Sequence, residues 1–348
     1  MSARSTRRGR SAGRGGRSGR RTAGAASAAA ERAAVGRVAR GVPPREILVV
    51  GSVALDSVRT PFGETTEALG GSASYFSLSA SHFSKVSIVA VVGEDFPGEH
   101  RALFEDRGVD VAGLEIAAGR TFRWRGEYMA ELGHAHTLET QLNVFSTFHP
   151  RLDARHRECP FVFLANIDPD LQLEVLEQMR SPRLVVSDTM NYWIARKPER
   201  VVEVLRRVDV ALLNEEEARA LSGETQLAAA ADRLIEQGGR AVIIKKGEHG
   251  ALYRSREEMF ITPAFPLPAL RDPTGAGDSF AGGFMGWLAR REIHDGDALR
   301  QGLACGAAMA SLAIEDFSPR RLVETTREEI ADRVAALHRM VSFRLEPI

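Results

Sequence analysis

Asp272-Pro273-Thr274-Gly275-Ala276-Gly277-Asp278-Ser279-Phe280 is the stretch that decides the fold. It reads as a Gly-rich turn running straight into a helix, Ser279 to about Arg290, apolar on most sides through Phe280, Ala281, Phe284, Met285, Trp287 and Leu288. Gly282, Gly283 and Gly286 let other backbone approach that helix closely. The amides of Gly275, Ala276 and Gly277 are expected to be unpaired and to point one way, at the positive end of the helix dipole, which makes an anion site. Asp278 lies in the same turn. A carboxylate beside a phosphate cradle suits a group that takes the proton from an attacking hydroxyl; the structural alternative is an Asp that caps the helix. The stretch is not a Walker A loop, because no Gly-Lys-Ser/Thr follows, and not a dinucleotide fingerprint, because the third Gly position is Phe280.

Working outward, apolar runs alternate with helical stretches over most of the chain. Ile47–Val50, 86–92, 161–165, 184–187, 210–213 and 241–245 read as buried strands. Stretches near 99–107, 170–179, 198–206, 215–221, 226–237, 297–314 and 327–340 read as helices. This βαβ rhythm predicts a mostly parallel sheet covered on both faces. Asp56 follows the first strand, Asn166-Ile167-Asp168 and Asp188-Thr189-Met190-Asn191 follow later ones, and all belong to the edge where such sheets bind ligands. Gly70-Gly71-Ser72 leads into a helix that Ser72 is placed to cap. Residues 57–69 and 121–147 alternate in strand style, with a break at Gly133, and predict a small separate sheet. Arg123 and Arg125 in that sheet read as a solvated face, and His134 and His136 as turn residues without a third metal ligand. Asn214-Glu215-Glu216-Glu217 opens a helix after a strand, where acids ordinarily partner the dipole.

The 348 residues carry no net charge, but unevenly. Residues 1–40 hold 11 Arg and one acid, so the rest is acidic and unsuited to binding nucleic acid. Residues 1–44 have almost no large apolar side chain and are expected to be a disordered Arg/Gly/Ala-rich extension. Cys159 and Cys305 give no disulfide framework, no apolar run is long enough to span a bilayer, and a cytoplasmic setting is expected.

Asp-x-Thr-Gly-Ala-Gly-Asp before a small, apolar helix resembles the second signature of the ribokinase/PfkB family of carbohydrate kinases. The opening order is similar too: a strand ending in Gly51, Asp56 five residues later, Gly70-Gly71 before a helix, then Val92-Gly93-Glu94-Asp95 with Gly98. Tyr75 stands where many members carry Asn, Ser72 where ribokinases proper carry Lys, and Pro273 where Thr is common. The resemblance covers about residues 46–342. It implies a ribokinase-like three-layer α/β/α sandwich over residues 45–348, with a small β-sheet lid from about 55–70 and 120–147 that often makes a homodimer contact. It also implies ATP-dependent phosphorylation of a hydroxyl on a sugar or sugar-like substrate. The catalytic residues would be Asp278 as base and Gly275, Ala276 and Gly277 as anion hole. Asp56, Gly70, Gly71, Ser72 and Asn143 would bind substrate. Asn214, Glu217, Lys246, Gly247, Thr274, Ala308 and Ser311 would line the nucleotide, with Mg2+ positioned by Glu217 through water and Asp272 a candidate K+ ligand. A nucleoside kinase using Phe122, Trp124 or Tyr75 to stack on a base is the alternative acceptor class. A non-catalytic sugar- or nucleotide-binding regulator is the alternative from another class.

Overall fold

The computed structural model describes residues 45–129, 135–292, 295–344 and 346. The expected extension at 1–44, and Gly133 and His134, lie outside the described residues. The chain runs β1 (Glu46–Val50), β2 (Ala54–Thr60), β3 (Gly63–Gly70), α1 (Ser72–Ala80), β4 (Lys85–Gly93), α2 (Gly98–Asp106), β5 (Val109–Ala117), β6 (Arg123–Tyr128) and β7 (Ala135–Gln141). It continues through β8 (Phe161–Leu164), α3 (Pro169–Gln178), β9 (Leu184–Ser187), α4 (Asn191–Arg196), α5 (Pro198–Arg207), β10 (Val210–Asn214), α6 (Glu215–Ser222), α7 (Leu227–Glu236) and β11 (Ala241–Lys245). It ends in β12 (Ala251–Ser255), β13 (Met259–Thr262), α8 (Ala276–Arg291), α9 (Gly296–Ala313), α10 (Arg320–Glu324) and α11 (Arg327–Val341).

Nine strands form the large sheet in the order β13-β12-β11-β10-β9-β8-β1-β4-β5. Pairing is parallel from β11 to β5, and β12 and β13 add an antiparallel edge. The strand alternation divides the core into two layers. Ile47 and Val49 face α1, α8 and α9, whereas Leu48 and Val50 face α3, α5, α6 and α7. Phe76 of α1 stacks on Phe163 of β8 with ring centroids 4.1 Å apart. The expected doubly covered parallel sheet is therefore present. Among the described residues no helix is long and apolar enough to cross a membrane.

The second sheet has the order β3-β2-β6-β7, with β2 and β6 parallel and the other pairs antiparallel. Its strands differ from the sequence reading at their ends. β2 starts at Ala54, so Asp56 sits inside a strand of the small sheet rather than in a loop after β1. β7 stops at Gln141, and the run expected to continue as strand turns at Asn143 (φ 49°) into a single 3-10 turn, Asn143–Thr147. The Val-Gly-x-Asp motif anchors this sheet. Asp95 Oδ1 accepts from both the amide and the hydroxyl of Thr121 at 2.7 Å, and its other oxygen pairs with Arg123 at 2.8 Å.

Helix α8 is clasped by its neighbours through its glycines. A Cβ on Gly282 would lie 2.5 Å from the Phe76 carbonyl of α1, and one on Gly283 would lie 2.7 Å from the Cys305 carbonyl of α9. Both obstacles are backbone and cannot swing aside. Gly282→Ala is expected to cost about 1–3 kcal/mol in urea unfolding, as overpacked sites do. Gly98→Ala, where an added methyl meets nothing within 4 Å, is the near-neutral control.

Candidate active site

The stretch from Asp272 to Phe280 turns through a left-handed residue into α8. Gly275 is the N-cap at φ 74°, a conformation that favours glycine. The ring of Tyr75 closes the remaining space: a Cβ on Gly275 would lie 2.3 Å from it. Tyr75 is 2% exposed, and the charges of Asp272, Asp56 and Asp278 add to burial in pushing its phenol well above its ordinary range. The sequence position marked as a departure thus packs on the turn itself.

Asp278 is the third residue of α8, so it is not the cap. Burial pushes its carboxyl up to about 7, with the negative charge of Asp188 adding to the effect and Lys245 opposing it. The amide of Ala276 is occupied, donating to the Pro273 carbonyl at 3.2 Å. This corrects the expectation of three unpaired amides: the Ala276 amide is used inside the turn.

Lys245, at the end of β11, reaches this turn; its Nζ lies 3.0 Å from where a Gly277 Cβ would be. It donates to Asp188 Oδ2 at 2.6 Å. Asp188 is 4% and Glu217 5% exposed. One ammonium therefore serves two buried carboxylates. Asp188 takes the contact, and burial holds the Glu217 carboxyl above its ordinary range. Sequence reasoning named Lys246 and missed Lys245. The signal that finds Lys245 is register: it is the parallel partner of Asn214 across β10 and β11. Lys246 instead starts the next turn, its amide donating to the Gly250 carbonyl at 2.7 Å, and Gly247 is exposed with open space around it.

Asn214 and Glu217 form a reciprocal capping box on α6, with Asn214 Oδ1 accepting the Glu217 amide at 2.9 Å and Glu217 Oε2 accepting the Asn214 amide at 2.7 Å. The same box presents Glu217 to the Lys245 ammonium, so the structural and functional readings coexist.

Asp56 reaches the site from β2. Burial pushes it up to about 7, although the Gly71 amide donates to its Oδ2 at 3.3 Å. Gly70 must be small because a Cβ there would overlap Asp56 Oδ2 at 2.0 Å. Ser72 does not cap α1, whose N-cap is Gly71. It is locked to Ser52, donating its amide to Ser52 Oγ at 3.1 Å while its hydroxyl lies 3.1 Å from the same atom. The Asn143 side chain donates to the Thr121 carbonyl at 2.9 Å, which braces the root of β6. Ala308 and Ser311 are buried within the helical layer rather than lining an open wall. The Ser311 hydroxyl donates to the Ala308 carbonyl at 2.7 Å and accepts from Arg333 at 2.8 Å. Arg125 lies exposed beside Glu139, as expected of a solvated face, whereas Arg123 is only 12% exposed and is held between Glu67 and Asp95.

Asp272 is 1% exposed. Its Oδ1 accepts the Thr274 amide at 2.9 Å, while Oδ2 is buried with no hydrogen-bond partner among the described residues. An orphaned carboxylate oxygen of this kind fits a cation. The small sheet is tied to the same loop: the Thr274 hydroxyl donates to Tyr128 OH at 3.2 Å, and the Thr60 hydroxyl donates to the Arg271 carbonyl at 2.8 Å. Among the described residues no three His, Cys, Asp or Glu side chains gather to hold a metal ion. The donor set, carboxylates around one ammonium, fits a hydrated Mg2+ carried on phosphates rather than a protein-built cage.

A Gly-rich turn, a raised carboxyl and a lysine ammonium meet at the edge of the parallel sheet where such sheets bind ligands. The family model for pfkB family carbohydrate kinases matches residues 45–326, and the chain belongs to that family. It is similar to the cytidine kinase of Thermococcus kodakarensis, 29% identical over 252 residues that are 70% of this chain and 89% of that one. It is also similar to the nucleoside kinase of Methanothermobacter thermautotrophicus, 26% identical over 306 residues, 82% and 94% of the two chains. The crystal structure of Methanocaldococcus jannaschii nucleoside kinase, an archaeal member of the ribokinase family, matches with a TM-score of 0.69 at 20% identity, covering 85% of this chain and 100% of its own. The fold is ribokinase-like, the protein is a carbohydrate or nucleoside kinase, and kinases of this family use ATP and Mg2+.

Proposed function

We propose that the chain transfers the γ-phosphoryl group of ATP to a ribose hydroxyl of a nucleoside, with Asp278 as general base. The observation that carries the chemistry is the meeting of Asp278, the Gly275 and Gly277 amides and the Lys245 ammonium at one turn. The nucleoside reading is supported by the two relatives that align along most of their length, a cytidine kinase and a nucleoside kinase. A free sugar is the second reading, favoured by the carbohydrate-kinase family itself.

Asp56 accepts from acceptor hydroxyls and fixes their position. Asp278 takes the proton of the attacking hydroxyl as its oxygen bonds to the γ-phosphorus and the bond to the leaving ADP oxygen breaks. The two glycine amides and Lys245 stabilise charge on the transferred group. Mg2+, when bound near Glu217 and Asn214, neutralises charge on the nucleotide phosphates. Asp272 offers its unpartnered Oδ2 to a monovalent cation, which would brace the turn at Thr274 and Gly275. The small sheet acts as a lid that excludes water, held down by the Tyr128 and Thr60 contacts.

The test is ADP release with Mg2+, with and without K+, across nucleosides, pentoses and hexoses. Turnover on nucleosides alone supports the first reading, on free sugars alone the second. Silence on every acceptor with ATP still bound would overturn both. Asp278 must be ionised to work, so kcat/KM is expected to climb as pH rises through about 7 and then level. A flat profile from pH 5 to 9 would remove a raised carboxyl from the rate.

A further inference from the structure

Helices α1 and α8 begin at the phosphoryl-transfer site and end beside a second, cationic cleft. Arg290 lies fourteen residues beyond Ala276, about 21 Å along the axis of α8. The cleft has a volume of about 340 Å³ and is lined by Ser81, His82, Asp106, Arg107, Thr326 and Arg327 among others. That volume falls in the lower range of small-ligand pockets, roughly 300–1,000 Å³.

Its lining carries two arginines against one acid: Arg107 and Arg327 form no ion pair among the described residues, and Asp106 at the rim pairs with neither. The chain supplies acids to the arginines next door: Arg321 and Arg333 share Glu315 and Glu329. His82 is 3% exposed and held neutral, its Nε2 2.8 Å from the Leu322 carbonyl and both ring nitrogens 3.0 Å from Arg107 Nη2. That contact fixes the Arg107 fork, yet Arg107 Nε is buried with no hydrogen-bond partner among the described residues. Burial and the charge of Arg327 both lower Arg107 and Arg290 from their ordinary values, so Arg327 is felt by both. Thr326 caps α11 at the same rim, where the first-turn amides add a positive end that Glu328 and Glu329 partly offset. Two forked guanidiniums beside a helix N-terminus match the oxygens of a phosphate group.

We infer that this cleft is a second anion site, separate from the phosphoryl-transfer turn, that binds the phosphate of a small phosphomonoester. The experiment is calorimetric titration of inorganic phosphate, and in a parallel arm of ribose 5-phosphate, into the full chain saturated with a non-hydrolysable ATP analogue and Mg2+. Binding is expected to persist with the nucleotide site filled. It should weaken at least tenfold in both Arg327→Gln, an exposed position that folding tolerates, and Arg107→Gln, and tighten several-fold in Asp106→Asn. Tighter binding of ribose 5-phosphate than of inorganic phosphate would identify an organic ester as the occupant, and equal binding would identify the free ion. Loss of all binding once the ATP analogue is present, or the same affinity in wild type, Arg327→Gln and Asp106→Asn, would overturn the site.

Discussion

Asp278→Asn is expected to lower kcat by about 10²–10⁴ with little change in ATP affinity, because general-base assistance is of that size and the nucleotide is held by other groups. The same substitution is expected to raise the melting temperature of the ligand-free protein at pH 8. Burial first, then the charge of Asp188, pushes the Asp278 carboxyl up to about 7. A carboxyl raised in the folded chain holds its proton where the unfolded chain has lost it. Its contribution to stability is therefore fully present below about pH 4, fades between about 4 and 7, and is gone above 7. A neutral amide of the same shape never charges, so the variant's advantage should open as pH rises through that window and vanish near pH 4. Asp278 is only half-buried, which limits the gain to on the order of 1 kcal/mol. Steady-state turnover and thermal melts over pH 4–9 check both halves. Near-normal turnover would remove Asp278 from the role of base, and inactivity joined to a lower melting temperature would point to a damaged turn instead.

The strands of the large sheet were legible because both faces are covered. β1, β8 and β11 read as unbroken apolar runs, and the helices between them carry caps or glycine stops. The catalytic turn was legible for a different reason: Gly275 sits where only a left-handed residue fits, and the sequence records that demand directly. The small sheet was legible in outline only. β7 is mostly exposed, so no apolar period marks its end, and the turn at Asn143 depends on a bond to a carbonyl twenty-two residues away. Ser72 was misread because a serine before an apolar run looks the same whether it caps a helix or grips Ser52, and that partner is tertiary. Ala308 and Ser311 lie on a helix whose buried side only packing reveals. Lys245 and Lys246 are indistinguishable by composition. The strand ends at Lys245, and only its register with Asn214 reveals that this lysine reaches the turn.

Lys245→Met is expected to damage the fold and the chemistry together, and a second substitution should separate the two. The lysine Nζ touches Asp188 Oδ2 at 2.6 Å, and Asp188 and Glu217 are both buried. Removing the ammonium leaves two carboxylates in a water-poor site with no cation to balance them. Breaking one partner of a buried pair in this way costs about 3–5 kcal/mol. Asp188→Asn in the same chain removes one of the two orphaned charges, the one in contact with the ammonium, so the double variant should recover part of that loss in urea unfolding, since replacing both members of a buried pair is often close to neutral. Activity should not follow. The ammonium that lies beside Gly277 is still missing, and losing one such stabilising group costs about 10²–10³ in kcat. Recovery of turnover along with stability in the double variant would mean that Lys245 serves only to balance Asp188. Stability without turnover would place its charge on the transferred phosphoryl group.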